Sequence, residues 1–213
     1  MMMLNFLKAP TVSRGKKLFE LRRKIFHAIG IIFPFITYYF DRQLILRTLI
    51  FVLPFVIFFD YNNLLRYFIK IPPGSILKKL MREHEMIYGQ LCGMSWLFLG
   101  YTIILVACDE YLVMLAMTVL VFCDAFAALI GQNFGRIKLC EKTLEGTVAF
   151  ALVGCVIVEI FQHYLPGQFN SLYLIIAVIV AAITELISKN IRLDDNFSIP
   201  LSFCFTYILL QSI

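Results

Sequence analysis

Asp124 and Glu185 are carboxylates set in apolar runs, the first inside YLVMLAMTVLVFCDAFAALIGQNFGR and the second near the end of LYLIIAVIVAAITELI. A carboxylate inside a lipid-embedded helix costs several kcal/mol unless it faces a cavity, a cation or a partner, so such residues point to a use. Asp194, Asp195 and Asn196 follow in the next loop, ahead of Pro200. Oxygen donors opening to one side are the raw material of a site for a hard cation such as Mg²⁺. A solvated loop with a helix N-cap would account for Asp194 and Asp195, but not for Asp124 and Glu185.

A second group of residues suits phosphate. In GQNFGRIKLCEKTLEGT, Gly131 and Gly135 precede Arg136, Lys138 and Lys142, and Glu145 and Gly146 open the next apolar run. Glycines let a backbone approach a phosphate closely, and cations neutralise its charge. A helix start at Thr147 would add free N–H groups. The pattern is not a P-loop, and the HRD and DFG elements of protein kinases are missing. Taken alone it reads as a helix stop followed by topogenic charges. Farther upstream, Glu20, Arg23, Lys24 and His27 in ELRRKIFHAIG share one helical face by their i, i+3, i+4 and i+7 spacing.

The elements that must position these groups are membrane helices. Of 213 residues, 61% are hydrophobic and 15% charged, with a mean hydropathy of +0.84, far above the apolar share of a soluble domain. Apolar runs long enough to cross a hydrocarbon core of about 30 Å predict seven spans, near 24–40, 44–60, 91–107, 111–134, 147–165, 171–187 and 199–213. The last is short and the second carries Arg47. Lys and Arg crowd the segment before the first span and the loops at 61–90, 135–146 and 188–198, whereas the alternate loops offer only Arg42. Basic flanks stay cytoplasmic. The expectation is an all-α, multi-pass integral membrane protein with a cytoplasmic N-terminus and its candidate site facing the cytoplasm. A basic segment, 1–23, would precede a single transmembrane catalytic domain, 24–213.

The net charge of +5 therefore describes one face. It attracts anionic headgroups and polyanions such as nucleoside triphosphates, and no nucleic-acid partner is expected. Six cysteines without paired spacing read as small buried hydrophobes. No small-residue cleavage site follows the first apolar run, which is expected to be a retained span.

Taken in order, ELRRKIFHAIG, DYNNLLR, LMREHEMIYGQLCG, CDAFAALIGQNFGR, EKTLEGTVAF and LDDNFSIPLS resemble the signatures of the diacylglycerol and polyprenol kinase family, which is similar to the CTP-dependent diacylglycerol, dolichol and phytol kinases. The resemblance runs from about Glu20 to Ser202. It implies a small membrane enzyme that phosphorylates a lipid alcohol, typically with CTP. The family's polar motif positions fall on Arg23, Lys24, His27, Asp124, Gly131, Gly135, Arg136, Lys142, Glu145, Gly146, Asp195 and Asn196. Cys123 stands where many relatives have glycine, and Thr143 where serine is common.

Phosphoryl transfer asks mainly for positioning and charge neutralisation. On this resemblance Asp124 holds Mg²⁺ with Asp195 as its main helper, and Glu185 and Asn196 are further candidate ligands. Lys142, Arg136 and Lys138 clamp phosphate oxygens, with Arg23, Lys24, Gly131, Gly135 and Gly146 also at the nucleotide. Glu145 orients Lys142 or binds metal, and His27 or an aspartate accepts the alcohol proton. Two other readings compete. A phosphatidate cytidylyltransferase has an element similar to EKTLEG, but its late lysine–aspartate, HGG and DR signature is absent. An ion- or proton-coupled transporter would also use Asp124 and Glu185, though the spans show no clear duplication.

Overall fold

The computed structural model describes residues 28–62, 91–188, 190–191 and 193–213. Among them a 3-10 turn, Ala28–Ile31, leads into α1 (Ile32–Tyr39), followed by α2 (Arg42–Tyr61), α3 (Gly93–Ala107) and α4 (Glu110–Phe134). A two-stranded hairpin, β1 (Lys138–Leu139) and β2 (Lys142–Thr143), precedes α5 (Leu144–Tyr164), α6 (Ser171–Ile187) and α7 (Asp195–Gln211). Each predicted span thus has a helix. The part of the first span before residue 28 lies outside the described residues, as do Arg23, Lys24 and His27.

Capping residues in the turns set where the helices start. Asp41 accepts from the N–H groups of Gln43 and Leu44 at 2.9 and 3.2 Å, and Asp109 from Tyr111 at 2.9 Å. Asn170 accepts from Leu172 at 3.0 Å, and Asp194 from Asn196 at 3.0 Å. Each such cap stabilises its helix by ~1 kcal/mol. Two of the caps move a predicted boundary. The fifth helix begins at Leu144, not Thr147, because Thr143 is its N-cap. The seventh begins at Asp195, four residues ahead of the apolar run, behind Asp194.

Three helices, α2, α4 and α5, are long and apolar enough to cross a membrane, and α3 and α6 are shorter apolar helices. Arg47 lies near the start of α2 and is exposed, where a long basic side chain can reach outward along the helix. α2 and α3 run antiparallel. Arg42, at the start of α2, donates to the Val106 carbonyl at the end of α3 at 2.9 Å. At the opposite end Asp60, closing α2, accepts from Cys92 N at 2.6 Å and Ser95 Oγ at 2.7 Å, where α3 begins.

The bundle is built around α4, which packs on α1, α3, α5 and α7, while α6 joins α5 to α7. Val113, Leu115, Ala116, Met117, Val119 and Leu120 of α4 are fully enclosed. Close helix approaches use small residues: a Cβ on Gly100 of α3 would stand 3.3 Å from the Asn196 carbonyl and from Phe197 Cα of α7.

Candidate active site: a carboxylate nest closed by a lysine

Three helices bring one carboxylate each to a common point. Asp124 comes from α4, ten residues before its end at Phe134, which is ~15 Å along the axis. Glu185 comes from the last turn of α6, and Asp195 from the first residue of α7. One ligand oxygen from each lies within 4.8 Å of the other two. Asp124 and Glu185 are 3% and 4% exposed, so their charges are screened by protein rather than water.

Lys142 of β2 closes the nest. Its ammonium donates to Glu185 Oε1 and, at 3.1 Å, to Asp195 Oδ2. Burial alone would lower the Lys142 pKa, but the negative charges of Asp195, Glu185 and Asp124 outweigh it and hold it above the ordinary lysine value. Lys142 is therefore a fixed cation at any physiological pH. Ser188 Oγ donates to the other Asp195 oxygen, Oδ1, and so orients that carboxylate.

The hairpin is held over the nest by a socket of glycines. Thr143 Oγ1 caps α5 by accepting from Gly146 N at 3.3 Å. A Cβ on Gly131 would stand 2.7 Å from Thr143 Oγ1, one on Gly135 2.6 Å from Thr143 Cγ2, and one on Gly146 3.1 Å from Thr143 Oγ1 and 2.8 Å from the Ala127 carbonyl. Thr143 lies against all three glycines, and a Cβ on Gly135 would also stand 2.2 Å from the Gly131 carbonyl. Two N–H groups at the actual start of α5 are engaged: Leu144 N bonds the Ile137 carbonyl at 2.9 Å, and Gly146 N bonds Thr143 Oγ1. The socket fixes the backbone beside Lys142 and aims its side chain at the nest.

Glu145 does not orient Lys142. Its carboxylate accepts from the backbone N–H groups of Arg136 and Ile137 at 2.9 and 3.1 Å, so it ties the loop after α4 to the start of α5. Arg136 and Lys138 are exposed on that loop and hairpin. Asn196 donates its amide to the Gly93 carbonyl at 2.9 Å, which docks α7 on α3. Cys123, beside Asp124, is buried within an unbroken helix, so the missing glycine costs the backbone nothing there.

Ser188 carries a part of the site that residue type and spacing did not single out, and Thr143, noted above only for standing where serine is common, caps α5. Ser188 meets Asp195 only because the loop between them folds back. An apolar cleft of about 960 Å³ between α1, α4 and α5, lined by Phe122, Phe126, Leu152 and Val156 among others, is a separate feature. Phe122 and Phe126 each lie two positions from Asp124, ~200° around α4.

The chain is 30% identical over 200 residues to the uncharacterized protein RP860 of Rickettsia prowazekii, covering 90% of this chain and 97% of that protein. It is 28% identical over 189 residues to the uncharacterized protein MJ1137 of Methanocaldococcus jannaschii, covering 87% and 91%. Over 80 residues, 36% of this chain and 15% of the relative, it is 31% identical to the dolichol kinase of Saccharomyces cerevisiae. No protein-family model matches the chain, and no solved structure matches it significantly. With near full-length identity at this level, the chain belongs to the same protein family as RP860 of Rickettsia prowazekii.

Proposed function

We propose that this protein is a multi-pass membrane lipid kinase. It transfers the γ-phosphate of a nucleoside triphosphate, CTP in preference, to the hydroxyl of a lipid alcohol such as diacylglycerol or a polyprenol. The observation that carries the reading is the nest itself: three carboxylate oxygens within 4.8 Å of one another, joined by a lysine cation. The partial similarity to a dolichol kinase supports the reaction class.

The donor set fits Mg²⁺. All three donors are hard carboxylate oxygens, the ligand type such an ion prefers. Among the described residues, Glu185 Oε2 is buried without a hydrogen-bond partner, and such an atom costs free energy until something occupies it. When bound by Asp124, Glu185 and Asp195, Mg²⁺ would offset the charge of the triphosphate.

The chain's own residues supply the rest. Lys142 offers a cation to the phosphate oxygens, and the exposed Arg136 and Lys138 draw the nucleotide to the hairpin end from the cytoplasm. A nest carboxylate or His27 takes the proton of the acceptor hydroxyl as its oxygen bonds the γ-phosphorus and the nucleoside diphosphate leaves. The depth of Asp124 suits an acceptor that stays in the bilayer while the nucleotide arrives from water. Excluding water from the pair also protects the triphosphate from hydrolysis.

The test uses purified protein in detergent with Mg²⁺, a panel of lipid alcohols plus phosphatidate, and CTP labelled in either the α or the γ position. Lipid labelled only from the γ position is the expected result, and the labelled alcohol names the acceptor. Label only from the α position would mean cytidylyl transfer to phosphatidate. No labelled lipid from CTP or ATP would leave the carboxylates to ion or proton transport.

A further inference from the structure

The carboxylate nest already holds a cation of the chain's own. Lys142 Nζ bonds Glu185 Oε1 and Asp195 Oδ2, and both residues belong with Asp124 to the cluster that can hold a metal. An ammonium has donors but no lone pair, so it cannot join a metal's ligand shell. Two cations drawn to one small group of oxygens repel each other, and protein surroundings screen them far less than water does. The two carboxylates that hold Nζ belong to the group a divalent ion would use.

Two features of the site allow exchange between the cations. The Lys142 backbone is fixed in β2, next to Thr143 in its glycine socket, but its side chain is a flexible four-carbon stem that keeps 15% exposure. Nζ can swing outward without moving the hairpin. The buried Oε2 of Glu185, unpartnered among the described residues, gives an entering ion one oxygen that Nζ does not occupy.

We infer that Lys142 is the resident counter-ion of the site and competes with the divalent cation for Glu185 and Asp195. A metal ion entering alone must displace Nζ. An ion arriving with a polyphosphate gives the freed ammonium new anionic oxygens, so metal and nucleotide enter favourably as a pair. The inference rests on the proposal that the nest takes a divalent ion, and not on the identity of the acceptor.

The test is Mn²⁺ binding to the purified protein in detergent without nucleotide, read from the loss of the free-ion electron paramagnetic resonance signal. Lys142→Met is expected to bind Mn²⁺ at least tenfold more tightly than wild type, and Glu185→Gln more weakly. Equal or weaker binding by Lys142→Met, or no saturable binding by either protein, overturns the inference. Should Lys142→Met fail to stay monodisperse, the wild-type protein carries the test through acylation of Lys142 by an N-hydroxysuccinimide ester, quantified by peptide mass spectrometry. Saturating Mn²⁺ is expected to raise acylation several-fold, and unchanged or reduced acylation refutes the competition. Competition without phosphate transfer would remove the kinase reading alone; transfer without competition would remove this inference alone.

Discussion

Replacing Gly131 by alanine distinguishes a glycine that faces a phosphate from one that faces Thr143. The new Cβ would stand 2.7 Å from Thr143 Oγ1 and 3.6 Å from Gly146 Cα. Carbon and oxygen settle at ~3.3 Å or more, so the hydroxyl must retreat by ~0.6 Å. Its bond to Gly146 N is already 3.3 Å long, at the outer edge of hydrogen bonding, and the retreat breaks it. Losing the cap costs ~1 kcal/mol, and overpacking a tight contact adds about 1–3 kcal/mol. The helix preference of alanine over glycine returns ~1 kcal/mol, which leaves Gly131→Ala destabilising by about 1–3 kcal/mol. Thr143→Ala alone gives up the cap, for ~1 kcal/mol, and it also removes the atom with which the new Cβ collides. The double variant is therefore expected to be no less stable than Thr143→Ala, a coupling of the size found between residues in contact. Reversible unfolding in mixed micelles measures all four corners of the cycle. Additive costs would refute the socket. A Gly131→Ala protein of unchanged stability, with only a raised KM for nucleotide, would return that glycine to a phosphate.

The other predictions address placement and packing. Cys140, the exposed one among the six cysteines, is expected to react with a membrane-impermeant maleimide only after the cytoplasmic face is opened; labelling in intact cells would invert the topology. The same residue has φ 55° at the hairpin tip, a left-handed conformation that costs an L-residue roughly 1–2 kcal/mol. Cys140→Gly should therefore raise the unfolding midpoint, and a lowered one would contradict the turn geometry. Asp60→Ala strands the Cys92 N–H and the Ser95 hydroxyl, and since bonds to a charged acceptor are worth about 1.5–3 kcal/mol each it should destabilise by ~3 kcal/mol. Asp60→Asn, which keeps one acceptor, should cost less, and equal unfolding midpoints would count against the contact.

Hydropathy made the helices legible because each apolar run is closed by a residue that caps or breaks it. Asp41, Asp109, Asn170 and Asp194 all follow such runs and all cap the next helix. Asp124 and Glu185 stood out because a buried carboxylate has no cheap explanation, and the structure brings them together with Asp195 and Lys142. Glycines are ambiguous in sequence because the space beside a missing side chain can admit a ligand or another residue. At Gly131 a threonine stands in it, and at Gly135 and Gly146 the threonine shares it with the Gly131 and Ala127 carbonyls. Glu145 is ambiguous for a related reason: a carboxylate between cations in sequence looks like a partner for a side chain, and here it bonds backbone N–H groups. Asp60 lay unassigned in DYNNLLR because its partners, Cys92 and Ser95, follow 32 and 35 residues later, a separation no helical period links.

Phosphoryl transfer at the nest depends on the Asp124 carboxylate, and Asp124→Asn isolates that dependence because the amide keeps the shape of the side chain and removes its charge. Wild-type and variant proteins, each shown to be monodisperse in detergent with matching helical circular dichroism, would be compared for transfer of γ-labelled phosphate from CTP to the preferred lipid alcohol. Loss of one group that stabilises transition-state charge commonly costs ~10²–10³ in rate, so transfer is expected to fall by at least ~100-fold. Transfer by Asp124→Asn near the wild-type rate would mean that the nest does not carry the reaction.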